Sequence, residues 1–221
     1  MARLPSNLEL SDTTNPYESY GQNELEDYLK NLLTLNDDVS KPYTYSNLGA
    51  GLLGFTLGLS QESTFQELLQ KSVFDNYNMK NSFTSSSKLG SRLVEGLDEN
   101  GNTVSNWDFD VMFGGGGILS TTEDLTKFVK AQFDPLNKEL ELTRKATFDV
   151  SENLRVGLGW HILKSDKGDD LYWHNGGTGG YSSSMTIDLE NKTAVIILSN
   201  VADIGNLIDT LGMELLKNAA K

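Results

Sequence analysis

Tyr45-Ser46-Asn47-Leu48-Gly49-Ala50-Gly51-Leu52-Leu53-Gly54-Phe55-Thr56-Leu57-Gly58-Leu59 reads as a helix start followed by a helix body. Leu48, Leu52, Phe55 and Leu59 recur in step, and Leu53 and Leu57 fill the other side. A helix that is apolar nearly all round expects neighbours on every side, so Ser46 to Leu59 is read as a buried core helix. Gly49, Gly51, Gly54 and Gly58 lower its helix propensity but let other backbones approach closely. Far downstream, Trp173-His174-Asn175-Gly176-Gly177-Thr178-Gly179-Gly180 ends a strand pattern in a glycine run. Such a run beside a strand admits a ligand backbone or acyl group at close range.

Working outward, residues 1–20 are loop-like, because Pro5, Asn7, Asp12, Asn15 and Pro16 break any period. Residues 22–35 read as an amphipathic helix with Leu25, Tyr28, Leu29, Leu32 and Leu33 on one face. Asn36 to Thr44 is a polar connector around Pro42. A third helix spans about 63–74. Residues 75–118 are irregular, with Leu97-Asp98-Glu99-Asn100-Gly101-Asn102-Thr103 a turn between two short strands. Ser120-Thr121-Thr122-Glu123 is a capping box opening a helix from Glu123 to Phe133, with Leu125, Phe128 and Val129 inward. Strand patterns follow at 155–163, 170–175, 181–189 and 193–200, and their short turns permit antiparallel neighbours. A last helix over 203–218 places Ile204, Leu207, Ile208, Leu211 and Leu215 on one face. The division expected is a loop segment over 1–20, a mainly helical lobe over 21–148, and an antiparallel sheet with a packing helix over 149–221. The fold class is α+β, and one helix on one sheet face leaves the sheet in need of a further layer.

Composition narrows the function. The net charge of −13 argues against nucleic acid and anionic membrane surfaces. Cysteine is absent, which removes disulfides and thiolate chemistry. No transmembrane run and no signal peptide is expected, since residues 1–20 carry no apolar stretch. His161 and His174 are the two histidines, and without cysteines or paired histidine spacing zinc is not expected. No metal and no cofactor is expected. His161 is assigned no role.

The order of motifs resembles the penicillin-recognising serine hydrolases: class C β-lactamases, DD-peptidases and their esterase relatives. Tyr45-Ser46-Asn47 looks like the family's second active-site box, and His174-Asn175-Gly176 stands where many relatives carry Lys-Thr-Gly. Asn78-Met79-Lys80-Asn81-Ser82, with Asn78 where Gly is usual, matches a further family stretch. So do Gly115 to Leu125, Gly157-Leu158-Gly159-Trp160, Leu198-Ser199-Asn200 and Arg3-Leu4-Pro5. The resemblance implies a β-lactamase or transpeptidase fold whose N-terminal part is missing, and acyl transfer on an ester, a D-amino-acid peptide or a β-lactam. It implies Tyr45 as general base, lowered in pKa by nearby cations, with Asn47 beside it. It implies His174, Asn175, Gly176 and Gly177 as the substrate-binding strand, with the Gly177 N–H an oxyanion donor. A periplasmic or secreted parent is implied as well.

The family's Ser-x-x-Lys nucleophile box lies upstream of the Tyr-x-Asn box, and none occurs before Tyr45. Ser85-Ser86-Ser87-Lys88 fits the letters, but it lies downstream, in a polar stretch with no apolar helix after it. Asp98 with Glu99, and Asp108 with Asp110, read as solvated charge and not as glycosidase pairs. Two readings stay open. One is a serine hydrolase seen as a truncated or split chain, inactive alone. The other is a non-catalytic module, a genuine short protein that binds peptide, glycan or another chain through the remnant cleft. Either way, oligomerisation or a complementing N-terminal segment is expected.

Overall fold

The start of the helix read from Leu48 and its partners is closed by a residue far upstream of it, Ser6. In the computed structural model, which describes residues 4–8, 10, 12, 14–35, 43–202 and 204–219, Ser6 O accepts from Asn47 N at 2.7 Å and from Leu48 N at 3.4 Å. Helix α1 spans Gln22–Asp27 and passes into a π-helical turn, Tyr28–Leu32. That turn takes more residues per revolution, which shifts the apolar phase. Leu25, Tyr28, Leu29 and Leu33 therefore join the core while Leu32 is turned to solvent.

Helix α2 spans Asn47–Ser60. Its buried residues are Leu48, Gly51, Gly54 and Gly58, whereas Leu53, Leu57 and Leu59 are exposed. The expectation of burial on all sides is corrected here: the glycine face is the packed one. A Cβ on Gly51 would come within 2.6 Å of Met112, and one on Gly114 within 2.3 Å of Ala50 O. Gly114 is thus pressed against α2. Helix α3, Phe65–Leu69, opens with a Thr64/Glu67 capping box and also ends in a π turn, Gln70–Phe74.

Strands β1, Gly96–Leu97, and β2, Thr103–Val104, form the expected small hairpin. Helix α4 spans Thr122–Gln132, capped by Thr121 Oγ1, and α5 spans Lys138–Thr143. Six strands then form one antiparallel sheet in sequence order: β3 Phe148–Ser151, β4 Leu154–Val156, β5 His161–Lys164, β6 Asp170–Thr178, β7 Tyr181–Asp188 and β8 Thr193–Ser199. The single strand expected at 155–163 is two strands. Gly157 N donates to Trp160 O at 2.8 Å, and Gly159 takes φ +82°, so the chain turns back there. Strand β3 and helix α5 lacked a sequence signal long enough to read.

Helix α4 packs on one sheet face, with Val129, Trp160, Ile162 and Ile187 at its core. Helix α6, Leu207–Ala219, covers the other face. Its inward residues are Ile208, Gly212 and Leu216, while Leu207, Leu211 and Leu215 are exposed. The expected inward face is therefore corrected by one residue. Gly212 faces Ser184, Thr186 and Ile197 on the sheet. Among the described residues no helix is long and apolar enough to cross a membrane.

Candidate active site

Strand β6 carries His174 to the same place as Tyr45, which lies two residues ahead of α2. The Tyr45 and His174 ring centroids are 6.2 Å apart. His161, the first residue of β5, completes the cluster. Its ring stacks on Tyr45 at 6.1 Å and on His174 at 5.8 Å, and lies 5.1 Å from Trp173. The register explains this, because His161 pairs with Trp173 across β5 and β6. Tyr43 OH lies 3.1 Å from His161 Nε2, and His161 Nδ1 is buried with no hydrogen-bond partner among the described residues.

The electrostatics of this wall follow from burial. Burial pushes the Tyr45 phenol above its usual range, and that of Tyr43 too, with Tyr45 adding to the effect. The lowering expected for Tyr45 needs a neighbouring cation, and among the described residues none contributes. Burial pushes both imidazoles below the usual histidine range, and His174 depresses His161 further. A weak hydrogen-bond effect from Asn175 works the other way on His174. Among the described residues no cluster of metal-ligating side chains is present.

The remaining candidates are dispersed around this wall. Asn47 donates from Nδ2 to Asn7 Oδ1 at 2.8 Å, while Ser46 Oγ accepts from Gly49 N at 2.9 Å and donates to Pro5 O. Asn175 turns away from the rings: its Nδ2 donates to Asp209 Oδ2 at 2.8 Å on α6. Asp209 Oδ1 also accepts from Trp173 Nε1 at 3.1 Å, so this carboxylate holds the residues on both sides of His174. Gly176 and Gly177 are exposed. A Cβ on Gly177 would meet its nearest neighbour only at 4.0 Å, which leaves this stretch open. The tip beyond it is anchored, since Gly180 takes φ +77° and a Cβ there would fall 2.5 Å from Gly96 Cα. Leu97 N donates to Gly180 O at 3.3 Å.

Ser85 sits elsewhere. It caps the short turn Ser86–Lys88, and its Oγ bonds Ser87 at 2.9 Å and not Tyr45 or either histidine. Tyr43, His161 and Asp209 were not singled out by sequence reasoning. A pairing of His161 with Trp173 across two strands leaves no local signal in the chain; only the Gly157-Leu158-Gly159-Trp160 stretch just before His161 hinted at the site. Arg3 lies outside the described residues, as does the connector over 36–42.

Comparison with the curated protein sequences finds no match. Solved structures are similar in fold. A β-lactamase/D-alanine carboxypeptidase from Pseudomonas syringae superposes with a TM-score of 0.78 at 18% identity, over 97% of this chain and 68% of that one. A class C β-lactamase from Rhodobacter sphaeroides gives 0.79 at 13%, over 99% and 69%. The octameric penicillin-binding protein homologue from Pyrococcus abyssi gives 0.62 at 22%, over 73% and 39%. The family profile described as beta-lactamase matches residues 1–207. With the ordered boxes, the sheet sandwiched between α4 and α6, and a profile match over nearly the whole sequence, the chain belongs to the β-lactamase family.

Proposed function

We propose that this chain supplies two walls of an acyl-transfer site of the serine hydrolase type. Tyr45 and Asn47 form one wall, and His174, Asn175, Gly176 and Gly177 the other. The observation that carries the reading is the approach of Tyr45 to His174, 6.2 Å between ring centroids, beside an open glycine strand. In the proposed reaction a serine hydroxyl adds to the substrate carbonyl and its proton passes to the Tyr45 oxygen. The leaving group departs with that proton, and water then hydrolyses the acyl-serine. The Gly177 N–H faces the developing oxyanion; one such donor is worth roughly a hundred- to a thousand-fold in rate. Asp209 acts as a positioning residue, holding Trp173 and Asn175 so that His174 keeps its place.

The serine is supplied by a Ser-x-x-Lys segment outside these 221 residues. A cation arriving with that lysine would lower the Tyr45 phenol, which burial otherwise raises. Substrates of the class are esters, D-amino-acid peptides or β-lactams, and the working form is an oligomer or a complex with the complementing segment. The test uses p-nitrophenyl acetate and nitrocefin. The chain alone is expected to show no turnover. Adding the segment restores it, and Tyr45→Phe then lowers kcat by roughly a hundred-fold. Turnover by the chain alone that is abolished by Ser85→Ala sinks the assignment. A second reading, a non-catalytic binding module on the same wall, is favoured by the engagement of Ser85 with Ser87. Persistent inactivity with the segment bound supports it.

A further inference from the structure

Helix α6 rests on β7 and β8, and along its other side a groove of about 460 Å³ opens over β5 and β6. That volume holds a small ligand. Successive residues of β6 turn to opposite sheet faces. Trp173 and Asn175 reach α6, while His174 pairs with Met185, which packs on the α4 side. The groove therefore lies behind the strand whose front carries His174. Its floor is apolar, made by Leu163, Trp173 and Met213, and its rim carries Asp209 and the exposed Glu214. Lys217, at the far end, pairs with Asp166 at 2.9 Å. Among the described residues no cation pairs with Asp209 or Glu214.

Asp209 is held in one orientation. Its two oxygens accept one proton each, from Trp173 Nε1 at 3.1 Å and from Asn175 Nδ2 at 2.8 Å. A carboxylate offers about four lone-pair sites, so acceptor capacity is left over for a ligand. Trp173 Nε1 also lies 3.3 Å from Ser184 Oγ, which fixes the indole. An ammonium placed there meets an oriented carboxylate and an aromatic ring together, and both attract organic cations. The net charge of −13 draws cations in and opposes anions.

We infer that the groove between α6 and the β5–β6 pair binds a small organic cation, an alkyl- or aryl-ammonium. Its apolar stem lies on Leu163, Trp173 and Met213, and its charge sits at Asp209. An anion finds there only Lys217, already taken by Asp166, and a neutral compound of the same shape forgoes the charge contact. This site is separate from the acyl-transfer wall and does not depend on that reading.

The test uses phenethylammonium, with phenethyl alcohol and hydrocinnamate as neutral and anionic counterparts of similar shape, at neutral pH on the chain as it stands. The indole N–H NMR signals of Trp107, Trp160 and Trp173, the three tryptophans, report where each compound goes. The ammonium is expected to move the Trp173 signal and to leave the other two in place. Phenethyl alcohol should bind about tenfold more weakly, and hydrocinnamate more weakly still. Met213→Trp fills the groove, and Glu214→Lys adds a cation to its rim. Each should weaken the ammonium about tenfold, and neither removes a hydrogen bond of Asp209. Phenethyl alcohol binding as tightly as the ammonium overturns the inference. So does a shift confined to Trp107 or Trp160, or no shift at all. Unchanged binding in either folded variant also overturns it. A Trp173 signal that moves on dilution of the chain without ligand seats a second copy in the groove and overturns it too. Failure of the complemented enzyme to acylate leaves this site standing, and absence of ammonium binding leaves acyl transfer standing.

Discussion

Asn78 holds φ at +56°, closing the π turn that ends the third helix, with Met79 N donating to Phe74 O at 2.7 Å. Asparagine tolerates this left-handed conformation better than most side chains, and glycine tolerates it best. Asn78→Gly should therefore leave the melting temperature nearly unchanged. Asn78→Val should cost about 1–2 kcal/mol, a Tm drop of about 2–8 °C. An unaltered Tm in the valine variant would show that the turn relaxes without strain. The two histidines make a second prediction at this scale. Burial lowers both in the folded state, and His174 lowers His161 further. The unfolded chain, with histidines near the usual value of about 6.5, takes up protons first as pH falls. The pair therefore contributes stability above about pH 6.5 that is lost as pH falls below it towards the lowered folded values. Urea melts from pH 8 to 5 should show a shallower dependence in His161→Phe than in the unaltered chain; identical slopes would place His161 in water.

Among the elements, α4 depends on a residue that its pattern conceals. Asp124 is fully buried in the first turn, accepting from Lys127 Nζ at 2.6 Å, Asn81 N at 2.6 Å and Ser82 Oγ at 3.0 Å. Burial pushes its carboxyl up, but these bonds outweigh burial and the net shift is downward. The acid thereby ties the helix start to the segment Asn81 to Phe83, which bridges to Leu119. Asp124→Ala should destabilise by about 2–3 kcal/mol, because it strands the Asn81 N–H and the Ser82 hydroxyl. Its carboxylate contribution is present above the unfolded pKa near 3.9 and is lost as pH falls through the lower folded value. Denaturant melts of Asp124→Ala and Asp124→Asn check this, and a loss under 0.5 kcal/mol on the scale of surface substitutions would refute the clamp. In the sequence, the box Ser120 to Glu123 announced the start of α4 to within one residue, the cap itself being Thr121. Nothing local announced that the residue after the box would reach back across more than forty positions to Asn81.

For the whole molecule, the sheet ends at β8, whose residues Thr193–Ser199 carry no charge and pair only with β7 among the described strands. Uncharged edges of this kind pair with other chains. Beside that edge, Leu207, Leu211 and Leu215 line the outer side of α6, and Leu53, Leu57 and Leu59 are exposed on α2. We predict that the isolated chain associates at micromolar concentration, and that Leu211→Glu with Leu215→Glu shifts it towards monomer. Light scattering during size exclusion decides: a cooperative monomer in the unaltered chain would remove assembly from the proposal.

Sequence alone determined the family, the α+β class and the Tyr45 and His174 pair, because these reside in ordered short motifs and in periodicities of 3.6 and 2. It also located the hairpin at Leu97 to Thr103 and, to within one residue, the start of α4, which depend on neighbours in the chain. Tertiary structure alone decided which side of each apolar helix is inside. On α2 the glycine face goes inward, where Gly51 meets Met112, Gly54 the Phe65 ring and Gly58 the Ser63 to Phe65 backbone; on α6 the face of Ile208, Gly212 and Leu216 goes inward. It alone decided that His161 joins the ring cluster of Tyr45 and His174, since strand register is set by how the whole sheet buries one face. That register brings His161 opposite Trp173, a pairing across the β5 and β6 hairpin that no periodicity encodes.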